Sequence, residues 1–556
     1  MLFVFSSFLL PFFTSTEPQT FYDVMAQDNL RTIMHSSVEE RNRINSPIKE
    51  NKKFYNILKA TLHQQKNLSA EKKRRLAFTL LSHYERKYKS STTTVLDTTS
   101  WQDLEMLSGP KSNLSYYIAS KIDLTVTEIG RITLFKKLIQ PTCNAAELKR
   151  NQSIIKELVA NENLFLDIEH HLMRLAKSES IILSLWEEDI FESILKQSAL
   201  SIPYAPHASE WIDRSTTLVE CANIGRLTSL VGTNLAKVVA AIALPVQGAA
   251  WLSDSSYYDT IKEYTPSLRA ISFLTVTGIL LSQLEKTYPK DQRVEVFSNI
   301  ISGPMGGIDA LYLDDQLRNE SAFKKGLQSK LIVTAQYIDG LKQIASLTQN
   351  SPVLLKEFSD ITTITNKLDL LSEKSSEIKQ LLALLETKTF KGKPNIFSLY
   401  GRMYVAYKLL TKMKNELIPF MITIGELDAY VSNAKLIKKF KSENVNFCFP
   451  EYSTNRSQPF IKIKKFWNPG IDIKKVITNS FSIGDQHKQN VIVTGPNAGG
   501  KSTVVKGLII NIIMAQSLGI AAAESFTFTP FKKIMTYLNI TDDIAAGNSH
   551  FKAGVL

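Results

Sequence analysis

Between Trp101 and about Phe440, apolar residues return every three or four positions, the spacing of a helix with one buried face. The clearest stretch follows Pro352. There Leu354, Phe358, Ile361, Leu368, Leu371, Ile378, Leu382 and Leu385 form a near-heptad stripe, with Lys and Glu filling much of the other faces. The pattern predicts one long helix packed against another, a lever or coiled-coil arm; a plain bundle helix would show the same stripe. Upstream, Tyr55 to Tyr88 is also helical in pattern, with Leu76, Leu80, Leu81 and Tyr84 at helical spacing behind the run Lys72-Lys73-Arg74-Arg75. Such a run reads as a solvated helix face or as a contact for nucleic acid or acidic lipid. Lys89 to Trp101, "KSSTTTVLDTTSW", is a polar and β-branched break, so a boundary falls there. After Asn444 the period changes. "NFCFPEY", "PFIKIKKFW", "KKVITNSFSI" and "NVIVTG" are short strand-like runs separated by polar turns. The division expected is a basic helical segment over 1–95, a helical body over 96–440, and an α/β part over 441–556.

The last of these strand-like runs leads into chemistry. Val491-Ile492-Val493 has the composition of a buried parallel strand. Gly495 to Ser502 fits G-x-x-x-x-G-K-[ST], and "VVKGLIINIIMAQSLG" from Val504 reads as a largely buried helix. Strand, glycine-rich loop and helix, in that order, make a phosphate cradle. The glycines let backbone N–H groups converge on phosphate oxygens at a helix N-terminus whose dipole favours an anion. Lys501 reaches the β/γ-phosphates in this reading, and Ser502 the Mg²⁺. The expected cofactors are a nucleoside triphosphate and Mg²⁺.

Bulk properties narrow the rest. A length of 556 residues exceeds one core, and 44% apolar with 21% charged residues describes a globular chain. The net charge of +13 suits a polyanionic partner such as nucleic acid, or an acidic membrane surface. Three cysteines, Cys143, Cys221 and Cys448, lie far apart and give neither a disulfide framework nor a metal spacing, which fits a reducing, cytoplasmic setting. The adjacent His170 and His171 point to different helix faces, a poor metal pair. Three apolar stretches, at 1–13, 238–252 and 270–281, are short for a membrane span, and buried segments are the default reading.

From Thr494 the chain resembles the ATPase domain of the MutS family of mismatch-repair ATPases. Thr494 to Thr503, "TGPNAGGKST", is similar to the family's T-G-P-N-x-G-G-K-S-T loop. Asp542 to Phe551, "DDIAAGNSHF", is similar to its D-D-x-A-x-G-x-S-x-F segment. Further back, "IGELDAYVSNAKL" (Ile424–Leu436) resembles the helix returning from the lever to the ATPase domain. "FWNPG" (Phe466–Gly470) sits at an R-H-P-like turn, and "VITNSF" (Val476–Phe481) at an asparagine-bearing strand. "GRITLFKKLIQPTCNAAELKRNQSIIKEL" (Gly130–Leu158) resembles the start of the family's helical core, with Gly130, Pro141, Arg150 and Gln152 matching its pattern. "LDTTSWQDLEM" (Leu96–Met106) looks like the approach to that core. Ala160 to Val353 carries no motif.

The resemblance implies a helical core and lever body followed by an ABC-type P-loop α/β ATPase domain, an α plus α/β architecture. It implies a dimeric, DNA-clamping protein that binds ATP and Mg²⁺ and acts in mismatch repair or a related repair or recombination process. Gly495, Pro496, Asn497, Ala498, Gly499, Gly500, Lys501, Ser502 and Thr503 would hold the triphosphate, with Ser502 on the metal; Ser549 would reach a homodimer partner's γ-phosphate. Departures from the family pattern are also visible. No G-x-F-x-E wedge is found, so backbone- and shape-led binding is expected rather than a tested base step. Val476 stands where family members stack an aromatic on adenine, Asn548 stands for Arg and His550 for Thr. The second nucleotide motif is expected beyond Leu556, making the ATPase domain incomplete at its C-terminus and assigning no catalytic residue to this chain. A non-catalytic scaffold and a membrane-tethered ATPase are the alternatives.

Overall fold

The computed structural model describes residues 67–88, 95–97, 100, 103–107, 117–187, 214–220 and 303–536, apart from breaks at 395–399, 443–444, 455, 457, 485–489 and 497–498; for 303–320 it gives the helical backbone alone. The apolar stretches at 1–13, 238–252 and 270–281 lie outside these residues. No helix among the described residues is long and apolar enough to cross a membrane.

The body is helical: α1 (Ala70–Tyr88), α2 (Ile118–Ile122), α3 (Glu128–Ile139), α4 (Ala145–Ala160), α5 (Glu162–Leu183), α6 (Gly303–Gln349), α7 (Pro352–Glu357), α8 (Ser359–Thr362), α9 (Ile364–Lys374), α10 (Ser376–Leu385), α11 (Tyr400–Met413) and α12 (Ile418–Lys439). At its centre α3 crosses α12, the helix that the sequence comparison placed before the ATPase domain. Two glycines permit the crossing. A Cβ on Gly130 would lie 2.2 Å from Asp428 Oδ2, and one on Gly425 would lie 2.7 Å from Ile129 Cγ2. α12 is buried nearly all round, including Asp428, Ser432 and Asn433. A helix apolar on every side belongs inside a body rather than on its surface.

The expected single helix after Pro352 is not formed. That stretch folds as α7, α8, α9 and α10 in succession. Ser351 Oγ accepts from Leu354 N where the stretch begins, and Ser375 Oγ accepts from Ile378 N at the break before α10; the breaks at Phe358 and Thr363 carry no side-chain cap. The Ser375 bond offers the backbone an alternative to continuing the helix. The stripe still turns inward, since Leu354, Phe358, Ile361 and Leu368 are buried. The long helix lies instead in the stretch without a motif: α6 has 47 residues, about 70 Å at the α-helical rise. It packs against α5.

The basic run of α1 is neither free nor fully solvated. Lys72 pairs with Glu187 at 2.8 Å, and Arg74 lies 4.0 Å from Glu128 on α3. Lys136 of α3 pairs with Glu85. The same helix turns Leu76, Ala77, Leu80 and Leu81 into the core. The segment expected as a polar break also contributes apolar anchors. Val95 and Leu96 are buried, and Leu96 bridges in parallel to Ile534.

Beyond α12 come β1 (Lys441–Ser442) and β2 (Val445–Asn446), a small antiparallel ladder, and β3 (Glu451–Tyr452), β4 (Ile461–Phe466), β5 (Asn479–Ile483) and β6 (Ser525–Phe528). The last four form one mixed sheet in the order β3-β6-β4-β5, with β3 parallel to β6 and the other pairs antiparallel. In β4 the period of two is plain: Ile461 and Ile463 face inward while Lys462 and Lys464 face out. A bulge at Lys465 ends the alternation. Helix α13 (Lys501–Ser517) packs against this sheet and against α3. One apolar cluster continues from Leu68 to Ile534, so body and sheet share a core.

Candidate nucleotide site

The glycine-rich loop runs into α13 as the sequence pattern requires. Gly495 has φ +154° and Gly500 has φ +84°, backbone that favours glycine over any residue with a Cβ. Gly499 N donates to Pro496 O at 3.1 Å, closing a turn within the loop. Gly500 then caps α13, and Val504 N donates to Gly500 O at 3.0 Å. Gly500 offers no side-chain cap, and the first turn of α13 holds no acidic residue. A helix start with outward N–H groups and no built-in carboxylate suits an external anion.

Lys501 folds back over the loop. Its Nζ donates to Gly495 O and Pro496 O, each at 2.8 Å. The ammonium is therefore held over the turn by two carbonyls. Ser502 and Thr503 are exposed at the same helix end. Asn497, Ala498 and Ser549 lie outside the described residues. No group of three or more His, Cys, Asp or Glu able to hold a metal occurs among the described residues.

One expectation for this site is not met. Val491, Ile492 and Val493 are not a buried strand; they are 50%, 88% and 48% exposed. Among the described residues no strand pairs with them, and a β-branched run gains its burial only from flanking strands. Val476 packs at the margin of the core, half-buried, with Ile477 beside it 79% exposed.

The site is anchored from below by polar residues that motif reading passes over. Asn511, fully buried in α13, donates from Nδ2 to Trp467 O at 2.9 Å and accepts from Ala522 N on Oδ1 at 2.6 Å. This ties α13 to the "FWNPG" turn on one side and to the segment leading into β6 on the other. In that turn Asn468 Oδ1 accepts from Gly470 N at 2.8 Å, and Lys121 donates to Gly470 O. Arg150 and Gln152, two of the matched core residues, also find partners: Arg150 donates to Glu357 O, and Gln152 donates to Pro450 O at 2.8 Å. An amide in the middle of an apolar helical run, as in "IINIIMAQS", is the sequence signal that marks such anchors.

Residues 491–556 match the family model described as MutS domain V. The resemblance to known proteins reaches well beyond that domain. A mitochondrial DNA mismatch repair protein mutS homolog from Sarcophyton glaucum is 23% identical over 445 residues, 78% of this chain and 40% of the relative. The chain is similar to MutS-family proteins, through domain V and, at moderate identity, over most of its length. Human MutS protein homolog 4 is 20% identical over 479 residues, 83% of this chain and 46% of its own length. The DNA mismatch repair protein MutS of Bacillus subtilis is 26% identical over 152 residues, 27% of this chain and 18% of the relative. The chain thus spans less than half the length of these relatives.

Proposed function

We propose that this chain binds ATP with Mg²⁺ at Gly495–Thr503 and uses the bound nucleotide to control the grip of its helical body on DNA, in mismatch repair or a related repair or recombination process. The observation that carries this reading is the start of α13. Two glycines in left-handed backbone set an uncapped helix N-terminus behind a lysine already drawn over the loop. Loop N–H groups and Lys501 would take the phosphate oxygens, and the Ser502 hydroxyl would take one position on Mg²⁺. Pro496, Asn497 and Ala498 would shape the loop between the glycines, with Thr503 adding a donor in the first turn. In this reading the α/β part is a P-loop ATPase domain, Ser549 serves a homodimer partner's γ-phosphate, and the free thiols of Cys143 and Cys448 suit a reducing, cytoplasmic setting.

The proposal of DNA contact rests on the likeness to MutS-family proteins and on the net charge of +13, and the contact is backbone-led. The test pairs two measurements. A fluorescent ATP analogue should bind the unaltered protein and lose at least about tenfold in affinity on Lys501→Ala, since one charge-assisted phosphate contact disappears. A labelled duplex should bind at low salt, weaken steeply as salt rises, and respond to ATP. Absence of duplex binding at low salt, with and without ATP, would overturn the proposal.

A further inference from the structure

An α-helix ends with carbonyls that its own backbone cannot satisfy. At the end of α13 these carbonyls are taken by other parts of the molecule. Thr142 N donates to Gln516 O at 2.8 Å. Asn433 Nδ2 donates to Leu518 O at 3.4 Å, and Gln152 Nε2 to Gly519 O at 3.2 Å. Tyr452 Oη donates to Ala515 O at 2.9 Å. Three of the four donors come from the helical body: Thr142 from the α3–α4 connection, Gln152 from α4 and Asn433 from α12.

Gln516 answers in the other direction. Its Nε2 donates to Thr142 O at 3.1 Å and to Phe531 O at 2.9 Å, while Oε1 accepts from Phe531 N at 2.9 Å. All three amides are buried: Gln152 is 5% exposed, Asn433 1% and Gln516 0%. Helix α13 is thus a rod of 17 residues, about 25 Å long. The phosphate loop forms one end, and an amide clasp on the body holds the other.

The clasp is unevenly made. The Asn433 bond is the longest of the set, and Asn433 Oδ1 is buried with no hydrogen-bond partner. A buried amide oxygen without a donor disfavours the arrangement that contains it, and a small shift of α13 against α12 can relieve it. Gln516 is engaged through both its amide groups, so Asn433 is where a second arrangement has something to gain.

We propose that Asn433 is the coupling contact through which occupancy of the phosphate loop reaches the helical body, with Gln152 and Gln516 keeping the rod in register. This rests on the reading of Gly495–Thr503 as an ATP site and of the body as the DNA-contacting part. Asn433 touches neither ligand; it is a positioning residue. Its effect is a difference in contacts between two arrangements of α13 on α12, one of the ways in which one site can influence another.

The experiment uses Asn433→Leu, which removes both amide groups at similar volume, and Asn433→Ala as a second variant. Three quantities are measured: the thermal transition, the affinity for a fluorescent ATP analogue, and the affinity for a labelled duplex with and without ATP. In the unaltered protein ATP should change duplex affinity by about tenfold. In Asn433→Leu the thermal transition and the ATP affinity should stay close to those of the unaltered protein while that factor collapses toward one. Because linkage is reciprocal, the effect of duplex on ATP affinity should collapse as well. A variant that keeps the full factor in both directions overturns the coupling role and leaves the ATP site standing. An unaltered protein that binds no ATP overturns the reading of the site itself.

Discussion

Gly130→Ala tests the crossing of α3 over α12 directly. The new methyl would sit 2.2 Å from Asp428 Oδ2, 2.7 Å from its Cγ and 2.8 Å from its Cβ. Asp428 has nowhere to go, because it is 0% exposed and its carboxylate is occupied. Oδ2 accepts from Thr127 N at 2.8 Å, Thr127 Oγ1 at 2.7 Å and Val126 N at 3.1 Å. Overpacking alone costs about 1–3 kcal/mol. Displacing the carboxylate sacrifices bonds worth about 1.5–3 kcal/mol each. Against this, alanine favours a helix over glycine by about 1 kcal/mol. The net expectation is a loss of about 2–5 kcal/mol, read from the urea midpoint. The deciding step is a double-mutant cycle with Asp428→Gly, which removes the three atoms nearest the methyl. Asp428→Gly destabilises on its own, but Gly130→Ala added to it should cost nothing and regain helix propensity. Additivity of the two changes within about 0.5 kcal/mol would refute the steric account.

Three further outcomes follow from buried groups. Burial raises the Glu179 carboxyl to about 7 against the pull of its donors Glu128 N and Ile129 N, and raises Asp428 to about 6. The native state therefore holds these protons where the unfolded chain has released them, so stability is full below the ordinary carboxylate range and falls as pH rises toward 7. Urea midpoints at pH 5 and pH 8 should show the decline, and Glu179→Gln should reduce it to the part that Asp428 contributes. Phe358, fully buried with its ring 5.5 Å from that of Tyr430, should cost about 3–5 kcal/mol on Phe358→Ala, seen as a lower thermal midpoint. Gln516→Ala strands Phe531 N and two carbonyls, and should cost about 2–4 kcal/mol by the same assay.

Much of this was legible in the residues. The change of period after Asn444 marks where helices give way to the sheet, and the alternation in "IKIKKF" is the alternation of β4. Gly130 and Gln152 stood out by resemblance, and their reasons are steric and polar: one clears Asp428, the other bonds across to Pro450 and Gly519. The stripe after Pro352 misled because periodicity reports which face is buried, not whether the backbone is continuous; Ser375, as a helix cap, carried part of the missing information. Val491–Val493 misled for another reason. Burial of a strand is a property of its neighbours, which its own composition does not contain.

The clasp at the end of α13 also sets an order of events in synthesis. Thr142, Gln152 and Asn433 all precede α13 in the chain. A growing polypeptide folds from its N-terminal side as it emerges. The donors that hold the far end of this helix are therefore already synthesised when Lys501–Ser517 leaves the ribosome, and its last turn is completed by seating against them. Severed from residues before 440, the same helix would begin life with open carbonyls and an uncovered apolar flank. The body is thus part of the template on which the glycine-rich end takes shape.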